Sequence, residues 1–411
     1  MKLGKARTRA RAYCKKDMSK TLTGYKTARL YYNRRMIKIM ITSLLFCSLA
    51  QGQLTLTMGG DINFNKNLMK VDAAGFLADK GTIGWSTLTK YLQPLLDGDL
   101  NFGNVETVIS DRHDLTPETK AFVFETHPAA IQHLVDIGFN LMNNANNHAY
   151  DFGVPGLLET MKFTAQIHQQ NPEINFVGVG YKKDIMQPLV FQKNGYTIAI
   201  ASLSILDPRF RATDSQPGLL HIRDANQYHE LIKNMKAIKA NYKILSIHNG
   251  TEGQVALDEG QKAYYEYAIK NGDVDLVIGH HPHSVRPIEK IGDKYIFYSL
   301  GNYLMLGSAN ITALNGGLDF GLFSKLHLVE NAQGHLVPEA IELVPLTNTH
   351  SIVRPMESAL AQDRLTSFQK LSMQQLGPDS LQFKINSAGR GIFCLPDVKL
   401  ESSIKACSSG F

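Results

Sequence analysis

Apolar and polar positions change period several times along the chain, and the changes outline an α/β protein. Leu54–Met58 alternates apolar residues with threonine, which predicts a short strand running into Gly59, Gly60 and Asp61. Asp99–Phe102 is a second short strand candidate, ending before Gly103 and Asn104. His127–Phe139 carries Ile131, Leu134, Val135 and Phe139 at helical spacing, and Leu141–Met142 then leads into the Asn-rich stretch Asn143–His148. Val154–His168 predicts a helix with Leu157, Leu158, Met161 and Ala165 facing inward. Tyr196–Leu203 is a mostly apolar run that fits a buried strand. There follow a helix over Ala225–Ala240, a strand over Lys243–Ile247 ending at His248, a helix over Asp258–Asn271, and a strand over Val274–Ile278 ending at Gly279. A last strand over Lys294–Leu300 ends at Gly301 and Asn302. Strands alternating with helices predict a layered α/β core. Leu318–Leu346 differs: two β-rich runs flank Asn331–Gly334, a hairpin signal, and Met356–Gln375 then predicts a helix. The expected organisation is a leader over 1–53, an α/β domain over 54–305 and a C-terminal extension over 306–411. No internal repeat or low-complexity segment interrupts it.

Composition adds one exclusion and one surprise. With 44% hydrophobic and 19% charged residues in 411, the chain is neither disordered nor collagen-like. The net charge of +6 is unevenly placed, because residues 1–38 hold 13 Lys and Arg against a single Asp. The remaining residues hold 30 basic and 36 acidic side chains and are mildly acidic, so nothing points to a nucleic-acid partner. The basic leader runs into the apolar stretch Ile37–Ala50, followed by small residues, which is the pattern of a signal peptide cleaved near Ala50–Gln53. Met36 is an alternative start, and an uncleaved signal anchor is the competing reading. Either way the body is expected to be exported, periplasmic or anchored and facing outward. Cys14 and Cys47 lie in the leader, leaving Cys394 and Cys407 as a pair in the tail. In an exported protein such a pair predicts a disulfide, stabilising the tail by about 3 kcal/mol in the chain-entropy model.

The chemistry-bearing residues share a position. Asp61, Glu106, Asn147, His148, His248, His281 and His283 each fall just past the carboxyl end of a predicted strand, where α/β sheets assemble their sites. Taken singly, Asp61 reads as a turn residue, Glu106 as a solvated loop carboxylate, and His248 equally as a core histidine or a ligand. The run Gly279-His280-His281-Pro282-His283 is harder to explain structurally, since it places three histidines in four positions right after a strand. Asp151, three residues after His148, is spaced to fix that imidazole's tautomer. A mixed Asp, Glu, Asn and His set without thiolate suits Mn²⁺, Fe or Zn²⁺, and a bridging carboxylate would build a two-metal hydrolytic centre. Leu206–Gly218 follows a buried strand and carries Arg209 and Arg211. With Arg286 near the histidine cluster, these arginines either recruit an anionic chain or phosphate, or line a solvated connector.

Six motifs in order carry a resemblance: GGDIN at 59–63, NVE at 104–106, ANNHAYDFG at 145–153, HNGTE at 248–252, GHHPHSVRPIE at 279–289 and YSLGNY at 298–303. The series resembles the bacterial CapA-type capsule synthesis family, which includes a membrane-associated subunit of poly-γ-glutamate synthesis and belongs to the calcineurin-like metallophosphatase superfamily. The resemblance covers about residues 54–305. It implies a four-layer α/β/β/α sandwich and two divalent ions. It assigns Asp61, Glu106 and His283 to one ion, and Glu106, Asn147, His248 and His281 to the other. It makes His148, oriented by Asp151, the acid that serves the leaving group. It also implies an anionic polymer or phosphoester as substrate, with membrane synthase subunits as partners. Where the wider superfamily has a His two residues after the first Asp, this chain has Asn63, which implies a weaker first site. Asn249 stands where the family usually has Trp.

Overall fold

The computed structural model describes residues 53–64, 69–71, 77–79, 84–306 and 320–395, together with Cys407. The expected signal peptide or anchor lies outside the described residues. Among them, no helix is long and apolar enough to cross a membrane.

In chain order the main elements begin with β1 (Gln53–Asn63), β2 (Leu100–Val105), α1 (Pro128–Ile137), β3 (Leu141–Asn143), α2 (Gly153–Gln170) and β4 (Asn175–Val177). The second run is β5 (Leu189–Lys193), β6 (Tyr196–Ser204), α3 (Ala225–Ala237), β7 (Tyr242–His248), α4 (Glu259–Gly272) and β8 (Leu276–His280). It closes with β9 (Val285–Ile291), β10 (Lys294–Leu300) and β11 (Asn302–Met305). The extension supplies β12 (Gly321–Glu330), β13 (Leu336–Thr347), β14 (Arg354–Pro355), α5 (Ser358–Leu376), β15 (Lys384–Ile385) and β16 (Gly391–Cys394). One sheet runs β15-β16-β13-β12-β1-β2-β3-β4, with β11 added beside β1 and β14 beside β13. The other runs β9-β10-β8-β7-β6-β5.

The two-residue period of a strand explains the layers. In β7, Ile244 points into the apolar layer between the sheets, where it joins Leu56, Met58 and Phe102 of the first sheet and Ile200 and Ile278 of the second. Its neighbour Leu245 points the other way, against Tyr228 and Leu231 of α3 and Tyr265 and Ala268 of α4. On the far side, Ile131 and Leu134 of α1 and Ile167 of α2 cover the first sheet. The order is therefore α/β/β/α, as expected. Strands buried on both faces read as unbroken apolar runs, which is why Tyr196–Leu203 shows no alternation. Each fully buried Leu or Ile in these layers contributes roughly 1.5–3 kcal/mol.

Three details differ from expectation. First, β1 does not stop at Met58 but continues through both glycines to Asn63. A Cβ on Gly60 would lie 1.8 Å from the Gly301 carbonyl oxygen, so glycine is what lets β1 pass the end of β10. Asp61 therefore sits within the strand, opposite Asn104 and Asn302, after a register shift. Second, of the expected inward face of α2 only Leu157 is buried: Leu158 and Ala165 are exposed and Met161 is half-buried, and the helix buries Gly153, Gly156, Thr160 and Ile167 beside Leu157. Gly156 allows close approach to Val108, and the Thr160 hydroxyl accepts from the Ile109 amide at 3.0 Å, so the contact face is built from small and polar residues. Third, the extension is woven into the first sheet. The predicted hairpin is β12 and β13, and β12 pairs antiparallel with β1. The disulfide between Cys394 and Cys407 is formed and ties the tail to β16.

Candidate metal centre

Five parallel strands end on one side of the sandwich, and their ends and following loops deliver the polar residues. β1 brings Asp61, the turn after β2 brings Glu106, the turn after β3 brings Asn147, His148 and Asp151, β7 ends on His248, and the turn after β8 brings His281 and His283. His281 and His283 have φ of 95° and 53°, a left-handed backbone that is costly for non-glycine residues and is held here by the surrounding packing.

Two groups of donor atoms lie within 4.8 Å of one another: Asp61, Glu106 and His283, and Glu106, His248 and His281. Glu106 belongs to both. Its Oε1 lies 3.3 Å from His248 Nε2 and 3.9 Å from His283 Nε2. His281 Nδ1 lies 3.1 Å from His248 Nε2. Asn147 Oδ1 is 2.7 Å from the same His248 nitrogen, beside the second group. Asp61 Oδ2 is 3.3 Å from His283 Nδ1, and the Asn104 amide donates to Asp61 Oδ1 at 2.7 Å. His148 donates from Nδ1 to Asp151 at 2.6 Å, which turns its Nε2 to within 4.0 Å of Glu106 Oε1.

The electrostatics suit a candidate cation site. Glu106 is fully buried, and neither carboxylate oxygen accepts a hydrogen bond. An orphaned buried carboxylate is costly unless protonated or met by a cation. Burial, followed by the charge of Asp61, pushes the Glu106 carboxyl well above its ordinary range. Burial would raise Asp61 too, but the imidazoles of His280 and His283 close to it outweigh that and hold the carboxyl well below the usual range. Burial works against a charged His283, yet Glu106 and Asp61 raise it to about 10. Burial and then neighbouring histidines push His248 far down and His281 to about 3. His148 is lowered by burial, with Asp151 opposing. Ligation by divalent ions requires ionised carboxylates and neutral imidazoles, so metal uptake would be tied to proton release. The donor set, the orphaned oxygens and the two overlapping groups all fit divalent metal.

The model of the family described as bacterial capsule synthesis protein PGA_cap matches residues 55–306. The chain belongs to this family. The PGA biosynthesis protein CapA of Bacillus subtilis (strain 168) is 30% identical over 225 residues, covering 54% of this chain and 57% of that protein. The match therefore spans less than two thirds of that relative's length. The capsule biosynthesis protein CapA of Bacillus anthracis is 24% identical over 348 residues, covering 81% of this chain and 78% of its own. The solved structure of the calcineurin-like phosphoesterase YfkN from Bacillus subtilis is similar over 79% of this chain and 97% of that one, at 14% identity and a TM-score of 0.43.

Within this member of the family, the three arginines are placed differently from one another. Arg286 is not at the mouth: it is fully buried and donates to the carbonyls of Thr251 and Gln254, to Asp258 and to Gln261. Four of its five N–H groups are spent inside the protein, so it has no free face for an anionic substrate. Arg209 and Arg211 are exposed as expected, but Arg209 pairs with Asp207 and Glu118, and Arg211 with Asp224. Sequence reasoning assigned no individual role to four residues that organise the centre. Asn104 holds Asp61 and is itself held by Asn143 at 2.7 Å. Asn302 accepts from His283 Nδ1 at 2.7 Å. His280 stacks on Phe102 and lies 3.4 Å from Asp61. Lys120 donates to the Asp151 carboxylate and, at 2.6 Å, to the Asn147 carbonyl. Asn104 and Asn302 lie inside the motifs NVE and YSLGNY, so a hint was present; nothing local marks Lys120.

Proposed function

We propose that the chain is an exported, metal-dependent hydrolase or transferase of capsule assembly that acts on an anionic surface polymer of the poly-γ-glutamate type. The observation that carries the reading is the pair of donor groups sharing the orphaned Glu106, with the His148–Asp151 pair beside them. Asp61, Glu106 and His283 would hold one Mn²⁺, Fe or Zn²⁺ ion, and Glu106, Asn147, His248 and His281 a second. Bound there, such ions supply a nucleophilic water at neutral pH and polarise the bond to be broken. The protein's own part is positional. Asn104 and Asn302 orient Asp61 and His283, and Asp151 accepts the Nδ1–H of His148, which turns Nε2 toward the centre and favours the imidazolium form that would hand a proton from Nε2 to the leaving group. Membership of a capsule synthesis family and relatives named for capsule and PGA biosynthesis support the polymer as substrate.

A non-catalytic, polymer-binding role within a membrane synthase complex is the second reading, and one observation favours it. Asn63, at the position where the wider superfamily supplies a His, turns its amide to the Leu306 carbonyl and the Thr126 hydroxyl, leaving the first site with three donors. The test is metal analysis of the purified mature protein together with turnover of poly-γ-glutamate and of a phosphoester panel. Metal-dependent turnover supports the enzyme. Tight polymer binding without turnover under any divalent ion supports the scaffold.

A further inference from the structure

Glu252 differs from every other carboxylate around the centre. It lies four residues beyond His248, its side chain is 46% exposed, and its Oε1 is 3.7 Å from His281 Nε2. Among the described residues it has no other ion pair and no side-chain hydrogen bond. Asp61, Asp151 and Asp258, by contrast, are all engaged by partners.

The loop that presents it is fixed on both sides. Arg286 holds the Thr251 carbonyl at 2.8 Å and the Gln254 carbonyl at 2.9 Å. The amide and hydroxyl of Thr251 donate to Asp258 at 2.8 and 2.9 Å, and Asp258 accepts from Arg286 in turn. The Gly253 amide donates to the Pro282 carbonyl at 2.9 Å, which binds the loop directly to the segment carrying His281. A buried guanidinium with four hydrogen bonds is thus spent on keeping one half-exposed carboxylate beside one histidine.

The geometry of that histidine says what the carboxylate is for. His281 Nδ1 faces inward, 3.1 Å from His248 Nε2, which in turn lies 3.3 Å from Glu106 Oε1. A neutral imidazole that offers Nδ1 to an ion carries its proton on Nε2. That Nε2 faces Glu252. The distance is longer than a hydrogen bond, and a half-exposed side chain has the rotational freedom to close the gap. Resting on the metal centre proposed above, we infer that Glu252 is a positioning residue for the second ion: it accepts the Nε2–H of His281, fixes the tautomer and ring orientation, and raises the affinity of the site.

The test is calorimetric titration of the full chain with Mn²⁺ and with Zn²⁺, comparing wild type, Glu252→Gln and the control Glu118→Gln. Thermal unfolding of each metal-free protein is measured alongside. The expected result is an affinity for the second ion roughly 10–100-fold weaker in Glu252→Gln. The first ion, the unfolding of the metal-free protein and the control should be unchanged. Equal affinities in wild type and Glu252→Gln overturn the inference while leaving the metal centre standing. Equal weakening of both ions together with a destabilised metal-free protein assigns Glu252 to loop structure and also overturns it. A wild type that binds neither ion overturns the metal centre itself, and the inference with it.

Discussion

Arg286 and Glu106 are both ionisable side chains with no solvent exposure, yet they differ in how their charge is met. Arg286 has four hydrogen bonds, two of them to carbonyls, one to a carboxylate and one to an amide. Glu106 has none to either oxygen. Burial of a charge is therefore not what marks function here. A satisfied buried charge is part of the scaffold, while an unsatisfied one marks a candidate cation site. Asp275 stands between them. It accepts from the Lys243 amide at 2.8 Å and lies 3.6 Å from Lys294, and burial still pushes its carboxyl up to about 6.

The largest effect that sharpens this contrast concerns the residue pair beside the unsatisfied charge. His148→Ala is expected to lower turnover by roughly 10²–10⁴-fold with metal content unchanged, because it removes the proton carrier and no metal donor. Steady-state rates beside elemental analysis read this directly; a variant that keeps wild-type turnover removes His148 from the mechanism. Arg286→Met tests the satisfied side. It leaves Gln261 and two carbonyls without their donor and Asp258 without its cation, and should cost about 3–5 kcal/mol of stability in a denaturant titration. A loss under 1 kcal/mol would mean that the node is replaceable.

Asp275 gives the intermediate case and a pH dependence. Its folded carboxyl is raised above its unfolded value, so the folded state holds the extra proton between about pH 4 and pH 6. Its contribution to stability is fully present below pH 4 and is lost as pH rises to about 6, amounting to roughly 3 kcal/mol. Asp275→Asn should flatten that part of the stability–pH curve, measured as denaturation midpoints from pH 4 to 7. A variant whose curve keeps the wild-type slope refutes the assignment. The smallest effect is expected on the rim. Since Arg209 and Arg211 already pair with acids, replacing both with Gln should weaken binding of poly-γ-glutamate at low salt by about threefold or less. A loss of tenfold or more would restore them as the main polymer contacts.

The contrast also explains what could be read from the chain. The histidine cluster at 280–283 was legible because its residues are adjacent and their density is unusual for a structural turn. The alternating strands and helices were legible because apolar period reports burial, and burial decides the layers. The period failed at α2, where Gly156 and Thr160 make the contact and Leu158 faces water. Glu106 carried no local mark, and its place emerged only from the order of motifs around it. Arg286 was misread because proximity to the histidines says nothing about whether its donors are already used. That depends on Thr251, Gln254, Asp258 and Gln261, 25 to 35 residues upstream, and only the fold brings them together.

The central claim is that Glu106 is unsatisfied because it is the shared anchor of two ions, and it is tested most directly by metal stoichiometry in Glu106→Gln. The purified chain and the variant are loaded with Mn²⁺ or Zn²⁺, freed of excess ion and analysed for metal per protein. The account predicts that wild type retains bound metal and that Glu106→Gln loses it from both sites, while the variant folds and is at least as stable as the metal-free wild type, since a buried charge has been removed. A variant that retains as much metal as wild type would contradict the account.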